Sequence, residues 1–465
     1  MIVDFAVEGE IIDKKKYQEL GFNFSDLDVR KRAKQSKRGS NNEEFEVVCD
    51  FTGFLINNDN DVLTVFPKHF PIRQENLEID SHLLFKVLMK AQNKKPSSLI
   101  GESTTKNFQS DYPFASFFKI YNYFSEFGLL QEDRYILKPN LGGKIKWKET
   151  ISKGEFYIEK RGKIVLYPFY YEKKYNFSVF LTETMIFAID YTLMKFKYFI
   201  GLPETGREFP EFDFLGNKDY VIDILQSYRE KEFKDYKIDL IDALIEFFMS
   251  VKVGGNYYLK HYSFKSIWEN MILEFLNGNF DSFTDGELKL KSNVYKAKFE
   301  KPTFYPNSLN DSHYFQPDYY FIDDAKNQII FDAKYYSNIH GMNYKQICYN
   351  MFLEGYIGRE YPDNTKTNIP YPQSLLSIMV GSPTDDESYY DIIENERNIN
   401  NIVPKYKSVF SALILPFERR KRKQHFQLSS IYGENNPNLF ISEEYFNIKE
   451  VMQYYVDKRF VITED

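Results

Sequence analysis

Apolar and polar positions fall into three stretches with different periods. In the first, to about residue 105, a charged opening gives way to apolar runs at 44–57 (EFEVVCDFTGFLIN) and 62–67, parted by the Asn/Asp-rich 58–61. That punctuation predicts a hairpin. A helix over 77–91 follows, and the polar stretch 93–106, with its Pro and Gly, predicts a linker. In the second, the pattern predicts an amphipathic helix over 115–127, then strands near Tyr135, 143–151 and 155–168. Two longer helical segments close it, 182–199 and 220–251. A helix followed by short strands is the order of a winged-helix DNA reader, and of many other folds. The third stretch alternates helix and strand: helices at 263–276 and 343–355, strands at 319–322, 329–336, 374–381 and 408–417. The expected fold is thus α+β or α/β and multidomain. Its parts are 1–105 (β-rich), 106–255 (middle α/β) and 256–465 (mixed sheet flanked by helices).

A length of 465 residues supports that division, being long for one core. The net charge of −7 argues against a general polyanion binder, because neutralising phosphates drives such binding. Basic residues do cluster locally, at 30–38 (RKRAKQSKR) and 419–423 (RRKRK), as solvated faces or as DNA contacts. Two cysteines, Cys49 and Cys348, provide no disulfide framework and no zinc-ligand spacing. The opening residues lack the order of a signal peptide, and runs such as 411–417 are too short to cross a bilayer. A cytoplasmic protein without membrane contact is expected.

The chemistry concentrates at 317–336, PDYYFIDDAKNQIIFDAKYY. Asp318 stands at the mouth of one strand, and the turn 323–328 leads into the next. Side chains on a strand alternate faces, so Asp332 and Lys334 point one way while Phe331, Ala333 and Tyr335 point the other. Two carboxylates converging from adjacent strands can hold Mg²⁺ through oxygen, with the Ala333 carbonyl as a further ligand and one or two ions allowed. Such an ion polarises a phosphate and acidifies a water, which the Lys334 ammonium can orient. Similar acid-x-Lys triplets recur at 13–15, 172–174, 235–237, 287–289 and 324–326, and a second Pro-Asp pair at 362–363. Only Asp332–Lys334 lies within an apolar strand, one hairpin after Pro317-Asp318 and ahead of a helix. A carboxylate among Ile, Phe and Ala needs a partner or a metal. The helix 263–276 adds two acids, Glu269 and Glu274. On the helix after the hairpin, Gln346 is placed to reach a DNA backbone or Lys334, or simply to lie on a polar face.

The order of acid on a helix, Pro-Asp, hairpin, Asp-Ala-Lys and helix Gln resembles the PD-(D/E)xK nuclease superfamily. The chain also resembles the nuclease subunits of McrC-like and LlaJI-type restriction systems, through GKIKWKETI (143–151), Tyr167-Pro168 and the helix opening at 181–183. This resemblance implies a restriction-endonuclease-like core in 256–465 that cuts double-stranded DNA with Mg²⁺. Asp318, Asp332, Lys334, Glu269 and Gln346 are then the site, with Asp318, Asp332, Ala333 and Glu269 on the metal. The spacing of Gln346 to Tyr349 departs by one residue from the Q-x-x-x-Y of RecB-like nucleases. The chain contains no G-x-x-x-x-G-K-[ST] segment, so the NTPase beside which such subunits work would be another polypeptide. Residues 1–105 would then serve recognition or docking, and cutting both strands allows a homodimer. A repair or recombination nuclease on the same fold, and an inactive DNA- or partner-binding subunit, stay open as alternatives.

Overall fold

In chain order the elements open with β1 (Val3–Val7), β2 (Val29–Ala33), β3 (Phe45–Cys49), β4 (Thr52–Ile56), β5 (Val62–Phe66), α1 (Leu77–Asn93) and β6 (Phe108–Ser110). Next come α2 (Phe114–Phe127), β7 (Glu132–Pro139), β8 (Lys144–Ile145), α3 (Trp147–Lys153), β9 (Glu155–Ile158), β10 (Ile164–Tyr167) and β11 (Tyr170–Phe177). They continue with α4 (Phe180–Lys195), α5 (Lys218–Arg229), α6 (Asp235–Ser250), β12 (Tyr257–His261), α7 (Phe264–Asn279), β13 (Phe280–Thr284) and β14 (Glu287–Leu290). The remainder are β15 (Tyr319–Ile322), β16 (Gln328–Ala333), α8 (Tyr344–Phe352), β17 (Arg359–Glu360), β18 (Val403–Pro404), β19 (Val409–Leu415), β20 (Lys423–Gln427), β21 (Phe440–Tyr445) and α9 (Ile448–Asp457). This computed structural model describes residues 3–11, 18, 21–22, 29–33, 45–93, 108–139, 144–160, 162–177, 180–252, 254, 256–284, 286–304, 314–336, 341–353, 359–360, 403–404, 409–417, 423–429 and 439–459. The strand expected at 374–381, most of the linker at 93–106, and most of the two basic clusters lie outside them.

The protein is mixed α and β, with several sheets, two of them five-stranded. Among the described residues no helix is long and apolar enough to cross a membrane. Two local expectations are corrected. The segment 143–151 is a strand only at β8, and from Trp147 it is helical. Ile145 and Trp147 alternating with lysines imitate a strand period. Thr150, fully buried, then ties the helix to the start of β11 by accepting from the Tyr170 N–H at 3.0 Å. The stretch 220–251 is two helices, α5 and α6. Its apolar spacing runs on across the join, but the Glu232 carboxylate accepts the N–H groups of Phe233 and Lys234 there, so the chain turns.

By its own packing the chain divides into two compact units. One combines Leu55–Val62 with Ser110–Leu259. Its centre is aromatic: Tyr112 meets Phe196, Phe247 and Tyr257 edge-on, and its hydroxyl lies 2.6 Å from Thr192 Oγ1. Burial in that packing raises the Tyr112 hydroxyl well above its ordinary pKa. In the same unit, among the described residues, β9 and β10 pair only with each other and leave Phe156, Tyr157, Ile158 and Ile164 exposed.

The other unit combines Ile2–Phe54, Leu63–Gln109 and Lys260–Asp465. It holds the sheet β15-β16-β19-β21-β20. Its three inner strands are parallel to one another, and β15 and β20 are antiparallel edges. β16 is buried along its whole length, which a strand covered on both faces requires. Ile330 joins Tyr320, Val409, Tyr349 and Leu353 on the face covered by α8. Phe331 points the other way, against Phe280, Phe283 and Phe299. Tyr335 shares that second face and packs on Phe264 of α7.

α7 is fixed from behind by α9. A Cβ built on Gly278 would collide with the hydroxyl of Tyr454, which is fully buried. Gly278→Ala should therefore lower stability by about 1–3 kcal/mol through overpacking, which outweighs a helix-propensity gain of about 1 kcal/mol. Thermal denaturation checks this, and a rise in Tm would contradict the packing described.

Candidate active site

The hairpin turn decides which residues meet. Asp323 accepts from the Asn327 N–H at 2.8 Å and from its side-chain amide at 2.9 Å, and Lys326 takes a left-handed φ of 66°. Asp and Asn suit such turns because their side chains bond backbone locally. The triplet at 324–326 is consumed by this turn and is exposed. From the turn the register runs Ile322 opposite Gln328 to Tyr319 opposite Phe331. One further step sets Asp318 opposite Asp332, where cross-strand side chains approach to about 5 Å.

Asp318 and Asp332 are both buried, at 8% and 1% exposure. The Ala333 N–H donates to Asp318 Oδ2 at 3.1 Å, which fixes that carboxylate against β16. Lys334, just past the strand end, forms an ion pair with Asp332 Oδ2, so the two share a face as their spacing predicts. Its own backbone is held, since the Lys334 N–H donates to the Ile414 carbonyl at 2.8 Å. The next residue is anchored on the opposite face. The Tyr335 hydroxyl donates to Glu8 Oε2 at 2.7 Å and accepts from the Lys68 N–H at 2.8 Å. Lys334 is thereby gripped on both sides of its backbone, the support a preorganised site needs.

Electrostatics separate the two acids. Burial, and then the charge of Asp318, push the Asp332 carboxyl up to about 6, against the pull of Lys334. Burial also works against ionising Asp318. There, hydrogen bonding with Asp332 and the ammonium groups of Lys301, Lys345 and Lys334 prevail and hold it below the ordinary carboxylate range. The two titrate as a coupled pair that shares one proton only below about pH 6.

Glu269 comes from α7, on the other face of the sheet. Its backbone carbonyl accepts the Tyr319 hydroxyl at 2.7 Å. Its side chain reaches Asp318 through Lys301, whose Nζ is 3.5 Å from Glu269 Oε2 and 3.4 Å from Asp318 Oδ1. Gln346 is fully buried. Its amide nitrogen donates to Ser411 Oγ at 2.7 Å and to the Ile330 carbonyl at 3.4 Å, while its Oε1 has no hydrogen-bond partner among the described residues. The structure thus brings Asp318, Asp332 and Lys334 together, links Glu269 through a lysine, and uses Gln346 to fasten α8 to the sheet.

Sequence patterns missed Lys301 and Lys345. Lys301 arrives because Glu300 bridges Tyr320 by paired backbone hydrogen bonds of 3.0 and 2.8 Å, a pairing outside any strand pattern. Lys345 has a visible signal, its place beside Gln346 in the first turn of α8. Asp332 and Asp318 help raise its pKa, with Tyr349, although burial acts against its charge.

Among the described residues no three His, Cys, Asp or Glu side chains gather closely enough to hold a metal ion. The two facing carboxylates nevertheless fit a hard divalent cation. Their charge is offset by ammonium groups, one of them seated between Asp318 and Glu269, and below about pH 6 by a shared proton. A facing pair of carboxylates attracts a cation of higher charge.

The facing acids and the lysine thus lie at one strand end of a mixed sheet, and comparison with known proteins gives the family of the chain. Residues 51–374, more than half of the chain and including all the residues just described except Glu8, Ser411 and Ile414, match the LlaJI restriction endonuclease family model. The chain belongs to that family. No curated protein matches it. Among solved structures, a chain of the refined half-complex from the tetradecameric assembly of Thermococcus gammatolerans McrB AAA+ hexamers with bound McrC aligns over 98% of each chain, at 11% identity and a TM-score of 0.33.

The dyad predicts a pH signature for the metal-free protein. Asp332 rises on folding from 3.8 to about 6, so its contribution to stability is full below 3.8 and is lost as pH rises through about 6. Asp332→Asn should therefore be more stable than wild type at pH 8 in chelator, by about 1–3 kcal/mol, with the gain fading by pH 4. Melting curves across that range decide it. A wild type that is the more stable protein at pH 8 would mean that Asp332 is held ionised by its lysines.

Proposed function

We propose that this chain is a Mg²⁺-dependent endodeoxyribonuclease that hydrolyses phosphodiester bonds of double-stranded DNA, as the cleaving enzyme or cleaving subunit of a restriction system. The observation that carries the proposal is the buried Asp318–Asp332 pair with Lys334 on the same face. Membership of the LlaJI restriction endonuclease family supports it. Asp318 and Asp332 would hold the ion, with the Ala333 carbonyl beside them and Glu269 as a third carboxylate. When bound, such an ion supplies Lewis-acid stabilisation of charge on the phosphate.

The remaining work falls to the chain. Lys334, held by Asp332 and by its anchored backbone, donates a hydrogen bond that orients the attacking water and then faces the negative charge developing on the phosphoryl oxygens. The enclosing apolar strand keeps bulk water from the dyad and strengthens each charge interaction there. Gln346 acts at one remove, keeping α8 and its Lys345 against the sheet. Where cutting is driven by a nucleotide, the NTPase would be a separate polypeptide, because the sequence contains no G-x-x-x-x-G-K-[ST] segment. Residues 1–105 are proposed to serve target recognition or docking.

Supercoiled plasmid, methylated and unmethylated, should be cut with Mg²⁺ either by this chain alone or together with neighbouring gene products. Asp332→Ala and Lys334→Ala should each slow cutting on the order of 10²–10³-fold while DNA binding persists. Discrete bands are expected, whereas an end-dependent smear would favour a repair nuclease. Undiminished cutting by both variants, or cutting in chelator, would remove the proposed site.

A further inference from the structure

Lys301 is the group near the dyad that the proposed hydrolysis does not use. Its ammonium sits 3.4 Å from Asp318 Oδ1 and 3.5 Å from Glu269 Oε2, bridging a carboxylate of the hairpin to one on α7. The paired backbone bonds between Glu300 and Tyr320 fix where its side chain begins. Its side chain is 44% exposed, so it can swing into solvent without leaving a cavity. Glu269 has a second, looser partner in Lys265 at 3.7 Å. It would therefore not lose all compensation if Lys301 left.

We infer that Lys301 is a resident counter-ion of the cation seat: it holds Asp318 and Glu269 in the metal-free protein and is displaced when a divalent cation binds. This rests on the metal-dependent reading of the site. A single positive charge bridging two carboxylates at these distances takes the place that a divalent ion would fill with oxygen ligands. The two compete for the same lone pairs. The competition sets a threshold, because the ion must outbid an ammonium that is covalently attached and always present. It also explains why Glu269 joins the dyad only through a lysine. The outcome is a site kept quiet at low divalent cation, with a third carboxylate released when the ion arrives.

Mn²⁺ titration calorimetry on the purified full chain tests this, with wild type, Lys301→Gln, Lys301→Arg, Lys298→Gln and Asp318→Asn. Lys298 is a charge control, since it pairs with Glu300 and is largely exposed. Lys301→Gln should bind Mn²⁺ about three- to thirtyfold more tightly than wild type, the range for losing two partly exposed ion pairs. Lys298→Gln should stay near wild type, and Lys301→Arg should bind somewhat more weakly than wild type, because its guanidinium is the stronger competitor. Melting curves without metal should show Lys301→Gln folded. If it is not, tighter binding by wild type than by Lys301→Arg would still support displacement, because the guanidinium is the stronger bidentate competitor, and weaker binding would overturn it. For a folded Lys301→Gln, binding that is unchanged or weaker overturns the inference, as does equal tightening in Lys298→Gln. Wild-type binding that Asp318→Asn does not weaken removes the metal reading itself, and Lys301 with it.

Discussion

Two carboxylates facing each other across a buried hairpin are an unfavourable arrangement, and much of the unit around them offsets it. Asp332 follows three fully buried apolar residues on β16, with Asp318 directly opposite. Two neighbouring charges of one sign in a place of low dielectric repel strongly. Relief comes from Lys334 on the same face, from Lys301 and Lys345 arriving from other segments and, below about pH 6, from a proton on the pair. Removing a proton and inserting a divalent ion would discharge the same tension. A site built this way gains most from a metal and is held together without one.

The surrounding structure keeps those groups in place. Parallel pairing of β16 with β19 carries the backbone of Lys334 to Ile414, and Tyr335 is pinned by Glu8 and Lys68, which belong to N-terminal segments of the same compact unit. α7 and α8 cover opposite faces of the sheet. Glu269 and Gln346, one from each helix, thus cannot play equivalent parts. The first reaches around the strand end to a shared lysine, while the second is enclosed against Ser411 and Ile330.

Much of this was legible in the chain. The strand over Tyr319–Ile322 and the sharing of a face by Asp332 and Lys334 follow from strand period alone, and the Asp/Asn turn explains why the 324–326 triplet is inert. The strands at Val62–Phe66 and Val409–Leu415 and the helix from Leu77 were equally visible. Failures came where local period and tertiary contact disagree. Lysines alternating with Ile145 and Trp147 look like a strand until Thr150 closes on Tyr170, and a steady apolar spacing hides the turn at Glu232. Lys301 was invisible because an isolated backbone bridge, rather than an element, delivers it.

The central claim is that Asp318 and Asp332 jointly bind the ion that Lys334 works beside. Anomalous diffraction from crystals soaked in Mn²⁺ tests it most directly. The account predicts a peak between the two carboxylates, in contact with an oxygen of each, and Lys301 turned away from Asp318. A peak elsewhere, or none there with Lys301 still bridging Asp318 and Glu269, would contradict it.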